Sequence, residues 1–208
     1  MTMQPTYRLL LYAIALTGLV VDQASKYGVF AWLNDAPYRR EVIPGAFDLV
    51  AQRKLSDDGN TILHVNPGAL FGLGQRGEGT ANSIFAGISL VAAGVILFWS
   101  FLPSTARDRR LCIALGLIFA GTLGNLYDRM FFGGVRDFLH FYNLPLPFGL
   151  HDWPVFNFAD CCLVVGAGLL LLQAFQSQPS AEEPAAESAS ASASSPTHAE
   201  YAGATDGK

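Results

Sequence analysis

Residues 111–129 (LCIALGLIFAGTLGNLYDR) and 155–175 (VFNFADCCLVVGAGLLLLQAF) decide the fold of this chain. Each stretch is apolar and about as long as a helix that crosses a bilayer, which takes about 20 residues. Each also carries Asn-x-x-Asp where it meets its polar flank: Asn125–Asp128 closes the first stretch and Asn157–Asp160 opens the second. Because a carboxylate in a membrane-length apolar run is energetically costly, both motifs indicate a functional site.

Two further stretches have the same character, so the sequence predicts four spans, at 9–33, 81–102, 111–127 and 155–175. The 208 residues are 51% hydrophobic and only 14% charged, too apolar for an ordinary soluble domain. We therefore predict an all-α membrane protein of four transmembrane helices, because helices satisfy their own backbone groups in lipid. The first span lacks a small-residue cleavage site, so we expect it to stay uncleaved.

The spans divide the chain into a transmembrane domain, 1–176, and a tail, 177–208. Segment 34–80 has alternating apolar residues and turn signals, which predict a small extracytoplasmic β-rich region. The second extracytoplasmic loop, 132–154, is rich in Gly, Pro and aromatic residues and predicts an interfacial loop or short helix. The tail is rich in Ala, Ser, Pro and Glu, so we expect it to be disordered and acidic. The sequence has no basic patch interleaved with aromatic residues, so we do not expect it to bind nucleic acid.

Three arginines lie within 107–110, in the short connection between the second and third spans. Short basic loops remain cytoplasmic, so both termini are expected to be cytoplasmic too. On this orientation Asp128 lies about 26 Å along the third span, near the extracytoplasmic face. Asp160, only four residues into the fourth span, reaches the same level, as do Asp22 and Lys26 on the first.

Two carboxylates that meet at one level share a proton and can act as general acid and base. We therefore interpret Asp128 and Asp160 as the catalytic pair of a membrane-embedded hydrolase, with Asn125 and Asn157 orienting them. The structural alternative for Asp128 is an ion pair with Lys26 or with the adjacent arginine.

Asp22 and Lys26 are four residues apart and favour a structural i,i+4 pair. Arg136 and Asp137 are expected to fix the loop after the third span. The four histidines show no metal-ligand spacing, so no metal is expected. The three cysteines fall inside predicted spans and predict neither a disulfide framework nor an activated thiolate.

Five blocks in order resemble the lipoprotein signal peptidases, or signal peptidase II. The first, Val21–Lys26, is similar to the family's Asp-Gln-x-x-Lys, and the second, Asn66–Gly72, to its Asn-x-Gly-Ala-x-Phe-Gly. Gly121–Arg129 resembles Gly-x-x-Gly-Asn-x-x-Asp-Arg, Val135–Phe138 resembles Val-x-Asp-Phe, and Phe156–Asp160 resembles Phe-Asn-x-Ala-Asp. Relative to the family, the chain has an insertion around Lys54–Asn60.

The resemblance implies an aspartyl endopeptidase, without a cofactor, that cuts the signal peptide from diacylglyceryl-modified prolipoproteins before the lipidated cysteine. It also implies a multi-pass, monomeric protein of the bacterial plasma (inner) membrane, in contact with lipid. The motifs assign catalysis to Asp128 and Asp160. They assign substrate binding or support of the site to Asp22, Lys26, Asn66, Gly68, Asn125, Arg129, Asp137, Asn157 and Ala159.

Two other functions fit acidic residues within a membrane. One is a small proton- or ion-coupled transporter, because intramembrane acids also serve as relays. The other is a presenilin-like intramembrane aspartyl protease, although its Gly-x-Gly-Asp signature is missing here.

Overall fold

The computed structural model describes residues 6–35, 37–68, 78–143 and 152–176, so the predicted tail lies outside the described residues. In this part of the chain the helices are α1 (Arg8–Trp32), α2 (Glu78–Phe101), α3 (Pro103–Arg107), α4 (Arg109–Phe132) and α5 (Phe158–Gln176). The strands are β1 (Arg39–Ile43), β2 (Phe47–Val50), β3 (Arg53–Leu55), β4 (Thr61–Leu63) and β5 (Leu139–Phe141).

The prediction of four membrane-spanning helices is confirmed, because α1, α2, α4 and α5 are each long and apolar enough to cross a bilayer. Helix α4 packs against the other three. More than half of its most apolar stretch is buried, against less than a third of the corresponding stretch in each of the others. The other three turn large apolar side chains outward, as helices that face lipid do. Helix α4 is therefore the centre of the bundle.

Two of the differences between the helix ends and the predicted spans affect the site. Helix α4 continues past Tyr127 to Phe132 and ends at Gly133, whose φ of +73° suits a glycine C-cap. Asp128 therefore lies inside this helix rather than at its end. Helix α5 begins at Phe158, so Asn157 is its N-cap rather than part of the span.

The start of α5 lies unusually close to α4. A Cβ atom at Gly121 would lie 2.3 Å from the carbonyl oxygen of Ala159, so no larger residue fits there. Small residues allow such close approach of helices in membranes. This contact brings the first turn of α5, with Asp160, against the C-terminal half of α4.

The predicted β-rich segment is present, but its sheet uses a strand from the second loop. Strands β1, β2 and β5 form an antiparallel sheet in that order, with Leu49 opposite Leu139. The described part of the 132–154 loop thus provides a strand where an interfacial loop or helix was expected. Strands β3 and β4 form a separate hairpin, at the place where the resemblance predicts an insertion near 54–60.

Two single-residue bridges hold the segment between α4 and β5. Val135 exchanges two backbone hydrogen bonds of 2.8 Å with Asn66. Leu139 does the same with Phe156, at 2.8 and 3.0 Å. Asp137 lies midway between the two bridges, so its backbone is fixed on both sides.

Candidate active site

Asp128 is completely buried in α4 and surrounded by donors. Its Oδ2 accepts a hydrogen bond from the backbone N–H of Arg136 at 2.9 Å and lies 3.2 Å from Lys26 Nζ. Its Oδ1 accepts from Arg136 Nη2 at 2.8 Å and from Gln23 Nε2 at 3.3 Å. Both carboxylate oxygens are therefore engaged by the protein. This arrangement corresponds to the structural alternative, in which Asp128 forms an ion pair with Lys26. Arg136 provides a second cation to the same carboxylate.

The pair predicted from spacing is also present, since Lys26 Nζ lies 2.9 Å from Asp22 Oδ2. The other oxygen of Asp22 accepts from the backbone N–H of Ala159 at 2.9 Å, which ties α1 to the first turn of α5. We call Asp22, Lys26, Asp128 and Arg136 the buried ion cluster, because their side chains are at most 2% exposed.

Asp160 has a different setting, at the N-terminus of α5. Asn157 Oδ1 accepts from the backbone N–H of Asp160 at 3.1 Å, and the Asp160 carboxylate accepts from the N–H of Asn157 at 3.1 Å. This reciprocal pair is a capping box. The second oxygen of Asp160 accepts from Asn125 Nδ2 at 2.8 Å. The carboxylate is partly exposed and borders a groove.

Asp137 is the acid that the structure connects to Asp160. One of its oxygens accepts from Asn157 Nδ2 at 2.7 Å and the other from Asn66 Nδ2 at 3.0 Å. Burial and the nearby Asp160 carboxylate raise the pKa of Asp137 to about 6, although both asparagine hydrogen bonds lower it. Asp137 is therefore a carboxyl group that holds its proton at a higher pH than usual.

Asn157 joins these two carboxyl groups directly. It donates its backbone N–H to Asp160 and its side-chain amide to Asp137. The same amide also donates to Asn125 Oδ1 at 3.1 Å, and Lys26 Nζ donates to that oxygen at 3.3 Å. Two amides thus hold Asp137 and Asp160 in one network.

The sequence paired Asp128 with Asp160, whereas the structure links Asp137 with Asp160. Asp128 belongs to the buried ion cluster, where cations and amides occupy both oxygens. The two Asn-x-x-Asp motifs look alike in sequence but differ in place, since one lies inside a helix and the other caps a helix. Their similarity therefore does not make their aspartates partners.

Other predicted residues surround the network. Asn66 Oδ1 accepts from the backbone N–H of Gly68 at 2.9 Å, and Gly68 lies directly against the Phe85 ring. The Arg129 guanidinium lies 5.5 Å from the centroid of that ring and donates to the carbonyl oxygen of Asn125 at 3.3 Å. Its guanidinium thus occupies the α2 side of the site.

An apolar groove of about 460 Å³ opens beside Asp160. Its walls come from β5, from the segment before α5 and from the outer face of α5. They consist of Phe141, Trp153, Phe156, Asp160, Cys161, Val164 and Val165. The groove can therefore receive an apolar group next to a carboxylate.

Sequence reasoning missed the role of Gln23 and underestimated that of Arg136. Gln23 Nε2 donates to Asp22 Oδ2 at 2.9 Å and also reaches Asp128. The resemblance block that contains Gln23 was a usable signal, but no local pattern shows that Arg136 turns back to α4. Within the described ranges, no three His, Cys, Asp or Glu side chains are grouped to hold a metal ion.

Comparisons with known proteins agree with this architecture. The profile of the family described as signal peptidase (SPase) II matches residues 14–176. A lipoprotein signal peptidase of Rhodopirellula baltica is 37% identical over 180 residues, which cover 80% of this chain and 71% of the relative. That of Syntrophus aciditrophicus is 34% identical over 163 residues, covering 77% and 88%.

A solved structure described as a bacterial membrane enzyme, obtained by the in meso method at 2.3 Å resolution, is similar in fold. The TM-score is 0.65 at 27% identity, and the match covers 88% of this chain and 99% of that one. The family profile spans most of α1 and all of α2, α4 and α5. The chain therefore belongs to the signal peptidase II family.

Proposed function

We propose that Asp137 and Asp160 are the carboxyl pair with which this signal peptidase II removes signal peptides from diacylglyceryl-modified prolipoproteins. The cut falls before the lipid-modified cysteine. The observation that carries the proposal is Asn157, which donates to both carboxyl groups. The relatives named lipoprotein signal peptidase support the class of substrate.

The surroundings of the pair suit acid–base hydrolysis. Two coupled carboxyl groups favour a form with one proton, and burial raises the pKa of Asp137 to about 6. The ionised carboxylate takes a proton from water as the water oxygen attacks the scissile carbonyl carbon. The protonated carboxyl group gives its proton to the carbonyl oxygen. The ionised member of the pair then takes a hydroxyl proton from the tetrahedral diol as the C–N bond breaks, and the protonated member gives its proton to the departing nitrogen.

The groove beside Asp160 fits the apolar character of such a substrate. A signal peptide that crosses the bilayer is itself an apolar helix, and the modified cysteine carries two acyl chains. Aromatic walls at Phe141 and Phe156 and aliphatic walls at Val164 and Val165 offer apolar surface to either part. The groove places that surface next to a carboxylate of the pair.

The proposed setting is the bacterial inner membrane, with both termini cytoplasmic and the site near the extracytoplasmic face. The cluster of three arginines at 107–110 supports this orientation through the positive-inside rule. The carboxyl network at the β-sheet end of α4 supports a site near the opposite face. We propose that the protein acts as a monomer in contact with membrane lipid.

Family membership favours this function over the two alternatives from the sequence, the ion-coupled transporter and the presenilin-like protease. The position of the carboxyl network, at one end of the helices, agrees with that choice. A relay for ions would need acids spaced along a path through the membrane.

Three purified variants in detergent test the proposal with a diacylated precursor as substrate: Asp137→Asn, Asp160→Asn and Asp128→Asn. We expect the first two to lose cleavage by about 10²- to 10⁴-fold while they remain folded. Asp128→Asn should chiefly lower the unfolding temperature and keep residual cleavage.

Cleavage by Asp137→Asn at more than a tenth of the wild-type rate would remove Asp137 from the pair. A stable, fully inactive Asp128→Asn beside an active Asp137→Asn would restore the pair expected from the sequence.

A further inference from the structure

Among the described residues, Arg136 is the largest side chain that is buried almost completely, at 2% exposure, and the partners given below do not line the groove. Its backbone N–H, Nε and Nη2 all donate to Asp128, at 2.9, 3.3 and 2.8 Å. Nη2 also donates to Gln23 Oε1 at 2.8 Å. Arg136 thus attaches the segment after α4 to α4 itself and to α1.

Aromatic rings cover the guanidinium of Arg136. Its Cζ lies 4.4 Å from the ring centroid of Tyr27 and 4.0 Å from that of Phe132. A planar guanidinium can donate in its plane to a carboxylate while its faces contact rings, but a lysine ammonium cannot do both. The site is therefore built for arginine rather than for any cation.

The charge of Arg136 balances the buried ion cluster. Asp22 and Asp128 carry two negative charges, and Lys26 and Arg136 carry two positive ones. Without Arg136, Lys26 alone would face both carboxylates, and one buried charge would be unpaired. An unpaired buried charge is strongly unfavourable, so the cluster would have to rearrange.

Such a rearrangement would reach both proposed catalytic acids. Arg136 directly precedes Asp137 in the chain, and Ala159, whose N–H is bound by Asp22, directly precedes Asp160. Each acid is therefore one residue from a backbone group that the cluster holds. Displacement of a reacting group by about 1 Å can cost about 10²-fold in rate.

We propose that Arg136 is a positioning residue, which sets the place of the Asp137 carboxyl group by locking Asp128 and neutralising the buried ion cluster. It touches no substrate and acts through Asp128. This inference rests on the proposed function, because it takes Asp137 as one of the catalytic acids.

The test is a double-mutant cycle with Arg136→Met and Asp128→Asn, measured as kcat and KM for a diacylated precursor in detergent. We expect Arg136→Met to lower kcat by about 30- to 100-fold with KM within about threefold. Because both residues act through one contact, the double variant should be no more than about threefold slower than the slower single variant.

Arg136→Lys retains the charge without the planar fork, and we expect it to recover only part of the lost kcat. The matched control is Arg40→Met, which removes an exposed arginine that lies over the Trp32 ring, and it should keep wild-type kcat. If Arg136→Met yields no folded protein, the same cycle is read with Arg136→Lys and Arg136→Lys/Asp128→Asn.

A wild-type kcat in the Arg136 variants, a change confined to KM, or losses that multiply in the double variant would each overturn the inference. Failure of the proposed function looks different, because Asp137→Asn would then still cleave. The two failures are therefore distinguishable.

Discussion

Asn157 donates its side-chain amide to Asp137 at 2.7 Å while its own carbonyl oxygen Oδ1 caps α5. One residue therefore both starts the helix that carries Asp160 and orients the other acid.

Asn157→Ala should lose both roles, with a cost of about 1 kcal/mol for the cap and about 10²-fold in kcat for the misplaced acids. Asn157→Ser is the matched control, since serine restores a cap but not the amide donor. We expect serine to recover most of the unfolding temperature and little of the activity. Recovery of both together would show that capping alone accounts for Asn157.

The raised pKa of Asp137 predicts a loss of activity on the alkaline side. The pair needs one proton, and the pKa of Asp137 in the free enzyme is raised to about 6. Values of kcat/KM should therefore fall as pH rises, with an apparent pKa near this value that belongs to the coupled pair. A kcat/KM that stays constant from pH 5 to pH 9 would contradict this expectation.

The raised pKa of Asp137 also predicts that Asp137→Asn becomes more stable relative to the wild type as pH rises. A carboxyl group whose folded pKa is raised from 3.8 to about 6 favours folding below the lower value and loses that contribution as pH rises through the higher one. Asparagine does not ionise but offers a single acceptor oxygen to the two amide donors, so the stability of the inactive variant relative to the wild type should be roughly 2–3 kcal/mol higher at pH 8 than at pH 4. Thermal unfolding in detergent at the two pH values measures the difference. An equal gain at both would argue against a titration effect.

Gly124 provides a test of how tightly α4 supports the site. A Cβ atom there would lie 2.5 Å from Asp22 Oδ2 and 3.1 Å from the Cβ of Ala159. Gly124→Ala should therefore cost about 1–3 kcal/mol by overpacking and should lower kcat by moving Asp22. Gly94→Ala, in open space on α2, is the control and should not destabilise the protein. Equal behaviour of the two variants in thermal unfolding would contradict the packing argument.

Cys161 offers a chemical probe of the groove. Its side chain is partly exposed and lines the groove beside Asp160, whereas Cys112 and Cys162 are buried. Prolonged treatment with N-ethylmaleimide should therefore fill the groove and inhibit cleavage. Cys161→Ser should remain active after the same treatment. Inhibition of this variant to the same extent would place the reactive thiol elsewhere.

The bundle was predictable from sequence because membrane-spanning helices are encoded locally, by the length and composition of apolar runs. The sheet was only partly predictable. Strand β5 is only three residues long, and it is held as a strand by pairing with β2, about 90 residues earlier in the chain. No local sequence pattern predicts a pairing between residues so far apart. The β-rich character of the earlier segment was visible because its strands alternate and are joined by turns.

The sequence motifs contain most residues of the hydrogen-bonded network, but they pair Asp160 with Asp128, whereas the structure joins Asp160 to Asp137 through Asn157. Asn125 and Asn157 hold the same place in their motifs, yet one is inside a helix and the other caps a helix. The difference depends on where each helix ends, and helix ends are weakly specified by local sequence. Asp128 is engaged by Arg136, which donates to it from the segment after α4. The chain reverses at Gly133, and this turn brings Arg136 back against α4.

Strand β5 begins only two residues after Asp137, and its backbone is bonded to β2. The extramembrane sheet and this acid therefore share one short piece of main chain. A compound or antibody fragment that binds the sheet from the aqueous side and makes it rigid would restrict movement of the Asp137 carboxyl group. Inhibition by this route would require no passage through the lipid phase.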